Sequence, residues 1–329
     1  MRAGNPKERG AALLSVLLLV AVMAVIAAVM LDRLNLAARL AGNGQAMTQA
    51  RLYATSAETL AMARIKAMVD TSQDRTVDRT GLLGREFPLP LSRGTVMARV
   101  DDAGNCFNLN SLVEADAQGT LRLRLAGLNQ MRALMAGLAI PQAEAAIISD
   151  SIADWIDTDN NPAPNGAEDE TYQGSTVPHR TAARLIGDVS EIRAVRGMTP
   201  QFYERLRPWV CALPAADLSP INVNTLRPDQ ALLLSMLGPQ ALPVDRARAI
   251  LAARPALGWA NAQDALRGVA GSGEGGALPL GQLKVRSRWF LLTQTVTVDS
   301  AMVEEQALID VGNNPPMVAF RTWGDRFNR

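Results

Sequence analysis

Lys7-Glu8-Arg9-Gly10-Ala11-Ala12-Leu13-Leu14 joins a short basic leader, residues 1–10, to an uncharged apolar run that continues to Leu31. At a helical rise of about 1.5 Å per residue the run reaches roughly 30 Å, the thickness of a bilayer's hydrocarbon core. It is too long for the apolar part of a secretory signal, which covers about 7–15 residues and ends in a small-residue cleavage site. Its end, Leu31-Asp32-Arg33, has no such site, and helical character continues through Leu34, Leu36, Ala37 and Leu40. Lys7 and Arg9 place the leader on the cytoplasmic side and everything past Leu31 across the membrane. On the span alone, an uncleaved single-span anchor fits as well as a processed one.

The 329 residues are long enough for one large core or two modest ones, and 48% of them are hydrophobic. A formal net charge of +1 argues against a domain that relies on phosphate contacts. His179 is the single histidine, which excludes a multi-histidine zinc site, and its neighbours Pro178 and Arg180 read as a surface loop. Cys106 and Cys211 are too far apart for a CxxC motif. In an oxidising compartment they could close one disulfide at the neck of an inserted domain, since each precedes a similar turn, Asn108-Leu109-Asn110 and Leu213-Pro214. Two unrelated buried thiols are the alternative.

Beyond the leader the chain divides into five regions. Residues 11–68 recur at helical spacing, so one helix should leave the membrane and become amphipathic after Arg33, with Gly42 and Gly44 able to bend it. Residues 69–105 carry Pro88 and Pro90 and then the alternation Thr95-Val96-Met97-Ala98-Arg99-Val100, a strand. Residues 106–218 and 219–282 are Ala/Leu-rich with Pro/Gly punctuation and predict two helical modules. Residues 283–329 return to strands at 289–298, 304–311 and 316–322. Helix, strand, helical block and strands make an α+β fold, an antiparallel sheet packed on the long helix and interrupted by a large inserted all-α domain.

The segment Asp150 to Glu170 holds seven carboxylates and no lysine or arginine. Counted from Asp157, the first, third, fifth and twelfth positions are Asp157, Asp159, Asn161 and Glu168, the ligand spacing of an EF-hand loop. Pro162 occupies the sixth position, where the EF-hand turn needs glycine. Oxygen donors at this density favour Ca²⁺ over a transition metal, and a solvated acidic loop is the alternative. Asp154 beside Trp155 reads as part of a core helix. No phosphate cradle or nucleophile elbow is present, so no enzymatic activity is expected.

The leader junction resembles the class III signal of type IV pilins and type II secretion pseudopilins. That resemblance implies cleavage by a prepilin peptidase after Gly10 and methylation of Ala11. Most members carry glutamate at the fifth mature position, where this chain has Ser15. The pseudopilin that typically lacks it is the minor pseudopilin K, at the tip of the pseudopilus. Cys106-Phe107-Asn108-Leu109-Asn110, Asp154-Trp155-Ile156-Asp157, Gly166-Ala167-Glu168-Asp169 and Pro220-Ile221-Asn222-Val223-Asn224-Thr225 extend the resemblance to the K family over nearly the whole chain. It implies the pseudopilin fold, single-pass anchoring in a bacterial inner membrane with a periplasmic domain, and minor pseudopilins I and J as partners beside other secretion components. It also implies a structural Ca²⁺, with Asp157, Asp159, Asn161, Glu168 and Asp169 as ligands and Glu191 as a distant contributor.

Residues 220–266 resemble a SAM-like or helix-hairpin-helix module, as in the membrane-anchored DNA receptor ComEA. Two helices flank Leu237-Gly238-Pro239, and Arg246, Arg248 and Arg254 lie nearby, but the second hairpin glycine is missing. The module also occurs in pseudopilin K as a packing unit, so no nucleic-acid partner is expected, and a ComEA-like DNA-binding protein is the alternative function.

Overall fold

Helix α1, Pro6–Asp70, runs unbroken through the leader junction and the span and then onto the globular part. It is the one helix among the described residues long and apolar enough to cross a membrane, with a mean hydropathy of 3.0 in its most apolar window. The computed structural model describes residues 6–175, 177–267 and 281–324. Residues 1–5 of the leader, 268–280 at the end of the second helical module and 325–329 lie outside the described residues.

From Ala46 onward the helix turns an alanine stripe inward. Ala46, Ala50, Ala54, Ala57 and Ala61 are buried, followed by Ile65, Met68 and Val69. Their three- and four-residue spacing puts them on one face, and the missing side-chain bulk lets the helix lie close to a sheet. That sheet is antiparallel, in the order β1 (Glu86–Pro90), β2 (Thr95–Asp102), β9 (Trp289–Val298), β10 (Ala301–Asp310), β11 (Met317–Trp323). Alternate residues of the central strands, Val96, Ala98, Val100, Phe290, Leu292, Val296, Val303, Ala307 and Ile309, meet the helix. The prolines read as preceding the first strand are part of it. Pro88 and Pro90 sit in β1, an edge, where a strand can lack ladder donors.

The insertion leaves after β2 and returns before β9. It contains β3 (Phe107–Asn108), β4 (Val113–Ala115), β5 (Leu121–Leu123), α2 (Leu125–Gly137), α3 (Gln142–Ile156), α4 (Asp169–Gln173), α5 (Pro200–Leu206), β6 (Val210–Cys211), β7 (Ile221–Asn222), α6 (Ala231–Ser235), α7 (Val244–Ala252), α8 (Ala262–Leu266) and β8 (Leu283–Lys284). It is helical apart from three small strand pairs, of which β3–β6 and β7–β8 are parallel. One continuous core fills it, separate from the core under α1, and Leu213 packs with Trp289 and Leu308 between the two. Cys106 and Cys211 are joined as a disulfide beside that contact, their Cα atoms 5.8 Å apart.

Ala54 is fully buried and its carbonyl accepts a hydrogen bond from Gln294 Nε2 at 2.9 Å. Ala54→Leu should therefore overpack the helix–sheet seam and cost about 1–3 kcal/mol. The same change in bulk at exposed Leu52, made as Leu52→Ala, should cost far less. Denaturant midpoints of the detergent-solubilised chain measure both.

Candidate metal centre

Helix α3 brings Asp150, Asp154 and Asp157 to its C-terminal end at helical spacing, all three nearly inaccessible to solvent. The chain then folds back over them. Asp150 pairs with Arg132 and accepts from the backbone and side-chain amides of Asn165. Asp154 accepts from the Ala163 backbone N–H at 3.1 Å. Gly166 passes so close to Asp154 that a β-carbon there would lie 1.8 Å from Oδ2, so a larger residue would push the loop off the carboxylate. Glu168 ends the loop as the residue preceding α4, with its side chain turned away from capping.

Asp154, Asp157 and Glu168 each offer an oxygen within 4.8 Å of the others. Asp157 Oδ1 and both oxygens of Glu168 are buried without a hydrogen-bond partner among the described residues. Burial is the first cause of raised affinity for protons, and the neighbouring carboxylates add to it. Asp157 is pushed up to about 8, Glu168 to about 7 and Asp154 to about 6, the last moderated by the Ala163 and Ala167 amides. Orphaned buried carboxylate oxygens facing one another fit a hard cation. The donor set is all oxygen, with neither imidazole nor thiolate.

The positions read from the EF-hand spacing are only partly brought together. Asp157 and Glu168 share the group. Asp159 is exposed, its Oδ1 accepting from the Asn161 N–H at 2.8 Å, although its charge is felt by all three carboxylates. The Asn161 side chain is exposed. Asp169 accepts from the Thr181 backbone and hydroxyl and faces Arg180. Glu191 stands outside the three-carboxylate group. It closes a capping box, accepting from the Gly187 and Asp188 N–H groups at 2.8 and 3.1 Å, with Arg184 beside it. Asp154 takes the inner place instead, and the helical spacing of Asp150, Asp154 and Asp157 was the signal for it. His179 does lie in a loop, but its ring packs 4.9 Å from Tyr172 and 5.9 Å from Trp155.

The asparagines of the other signatures are crosslinks within the insertion. Asn108 donates to the Ala215 and Asp217 carbonyls and accepts from Leu213, while Asn110 donates to Ile186 and Leu213 and accepts from Ile186. Asn222 donates to Ser287, and Asn224 exchanges bonds with Trp259. Near the hairpin, Arg254 donates inward to the Val223 and Leu226 carbonyls and Arg248 pairs with Asp245. Those two cations are engaged within the chain.

Residues 105–215 and 221–286 match the family described as "Type II secretion system (T2SS), protein K". The type II secretion system protein K of Pectobacterium carotovorum subsp. carotovorum is 33% identical over 326 residues, 97% of each chain. The chain belongs to the type II secretion system protein K family. The protein K of Aeromonas hydrophila is 39% identical over 261 residues, 77% of this chain and 78% of that one. In a solved structure, the GspK-GspI-GspJ complex from the enterotoxigenic Escherichia coli type 2 secretion system, a chain 29% identical superposes with a TM-score of 0.72, covering 85% of this chain and 98% of that one. The protein K family is one of minor pseudopilins, a structural class not known for enzymatic activity, and the match supports secretion over a membrane-anchored DNA receptor.

Asp157, Glu168 and Asp154 bind more protons in the folded chain than in the unfolded one from about pH 4 to 8. Their contribution is therefore fully present below the ordinary carboxylate range and lost as pH rises through about 6 to 8. In chelator the insertion should melt at a lower temperature at pH 8.5 than at pH 6. The stabilisation added by Ca²⁺ should grow over the same interval, as calorimetry can measure.

Proposed function

We propose that this chain is the subunit at the tip of a type II secretion pseudopilus, where it initiates and caps the filament. It is made as a prepilin in the inner membrane, cut after Gly10 and methylated at Ala11, with everything beyond Leu31 in the periplasm. The observation that carries the reading is the union of an uninterrupted 65-residue helix with a bulky insertion mounted on the far end of its sheet. A filament subunit needs the helix for lateral packing. The insertion leaves no room for a further subunit above it, and Ser15 replaces the glutamate that would pair with the amino terminus of a subunit ahead. Minor pseudopilins I and J are the partners, a reading supported by the complex in which the solved relative was found.

The insertion holds a structural Ca²⁺. Asp157 and Glu168 are its principal ligands, Asp154 completes the buried side, and Asp159 and Asn161 lie on the solvent side. The cation would neutralise carboxylates that otherwise repel and would fix the loop against α3. The chemistry is structural, without turnover.

Two measurements test the proposal. Mass spectrometry of protein from the native membrane should find N-methylated Ala11 as the first residue, and an intact leader would overturn the processing step. Titration of the detergent-solubilised chain should show Ca²⁺ binding that Asp157→Asn with Glu168→Gln abolishes. Asp159→Asn should only weaken it, and binding that survives the double change would refute the assigned ligands.

A further inference from the structure

The seam between α1 and the sheet is alanine-lined except at one point, where two carboxylates meet one guanidinium. Glu58 of α1 and Glu305 of β10 are 3% and 1% exposed. Arg321, the single charged residue of the edge strand β11, donates from Nε and Nη2 to the two oxygens of Glu58, each at 2.8 Å. Its Nε also lies 2.9 Å from Glu305 Oε1, but the one hydrogen on that nitrogen is directed at Glu58. Glu305 Oε2 accepts from Gln294 of β9 at 2.6 Å, and Oε1 is left without a hydrogen bond among the described residues.

These groups do not balance if both acids are ionised. Two negative charges and one positive would leave a net charge in the seam, and Glu305 Oε1 would stand against the Glu58 carboxylate without a donor of its own. A proton on Oε1 removes both problems. It supplies the missing donor toward Glu58 and makes the trio neutral. We propose that Glu305 carries a proton on Oε1 directed at Glu58, and that this proton, with Arg321, latches the edge strand β11 to helix α1 and releases the strand when it is lost.

Of the elements packed against Glu305, α1 presents Glu58, β11 presents Arg321 and β9 presents the neutral Gln294. Burial first, and the Glu58 carboxylate next to it, hold Glu305 up at about 7, so the proton is exchangeable near neutral pH. The folded chain holds this proton at pH values where an unfolded glutamate has lost it. The latch is closed below that range and opens as pH rises through it. Strand β11 depends on the latch because it is paired on one side only.

The test is amide hydrogen exchange of β11 in the full-length chain in micelles, with saturating Ca²⁺, from about pH 5 to 8 and corrected for intrinsic rates. In the wild type the opening constant should rise by up to roughly tenfold per pH unit below the midpoint near 7, the slope of one linked proton, and level off above it. Glu305→Gln keeps a donor toward Glu58 without a charge. It should keep β11 protected and flatten the dependence, while Glu305→Ala should loosen β11 at every pH. All forms carry the same acidic loop, so the difference between slopes belongs to the latch whether or not that loop binds Ca²⁺. Equal slopes in wild type and Glu305→Gln would overturn the proposal. So would a Glu305 carboxyl that titrates in the ordinary glutamate range by carbon NMR of the wild type, a measurement that does not depend on any variant folding.

Discussion

The chain must leave its sheet at Asp102 and return to it at Trp289, so everything in the insertion depends on how those two points are held together. The neck is built from polar groups with no slack. Asp102 is half-buried and accepts from the Ser287 and Thr225 hydroxyls and the Gly104 N–H, while the Ala103 N–H donates to the Trp289 carbonyl at 3.0 Å. Asn105 accepts from the Asn222 N–H, and Asn222 reaches Ser287, closing a ring of bonds between residues distant in sequence. Burial raises the proton affinity of Asp102 and the three donors oppose it. Removing any one donor would leave a largely desolvated carboxylate short of a partner, which weakens the whole network. The disulfide stands beside this ring and the Leu213–Trp289–Leu308 contact lies beneath it. An inserted domain on two strands would otherwise swing. Here it is fastened through hydrogen bonds, a covalent link and a small apolar contact.

The acidic loop follows the opposite logic. The neck satisfies its polar atoms internally, whereas the loop gathers three carboxylates and leaves several of their oxygens without partners. Asp150 shows that the local fold can satisfy an acid when it needs to, since Arg132 and Asn165 cover it completely enough for a side chain 1% exposed. Asp150 within α3 is paired with a cation, Asp154 is held by backbone amides, and Asp157 just past the helix end keeps an oxygen without a partner. That contrast between neighbouring acids is the physical ground on which the Ca²⁺ proposal rests.

The architecture was legible wherever the pattern is local. The run from Trp289 to Val298 is β-branched and alternates, and it forms β9 over those same residues. The apolar span and the helical recurrence of apolar residues along α1 were equally plain. Long-range pairings left no such trace. Glu191 looked like a further acid near the acidic loop, but a capping box consumes its carboxylate, and Asp154 looked like core because Trp155 is beside it. The signature asparagines could be recognised as signatures, yet their partners lie across the fold, so only the three-dimensional arrangement reveals them as crosslinks. The Glu58–Arg321 pair, joining the first helix to the last strand, escaped for the same reason.

The helix itself links membrane and insertion mechanically. No proline interrupts it between Pro6 and Asp70, so its hydrogen-bond ladder continues from the bilayer onto the sheet. The docked half begins near Asn43, which bonds to Ser300 in the turn between β9 and β10. Gly42 and Gly44 flank that residue, and nothing lies within 4 Å of where their β-carbons would be, so packing does not require glycine at either position. Each costs helix stability of about 1 kcal/mol relative to alanine. Two such costs at the boundary between the lipid-embedded and sheet-docked halves concentrate the helix's weakness at one point. A rotation of the span about that point changes which face the first half offers to neighbouring helices without disturbing the alanine seam.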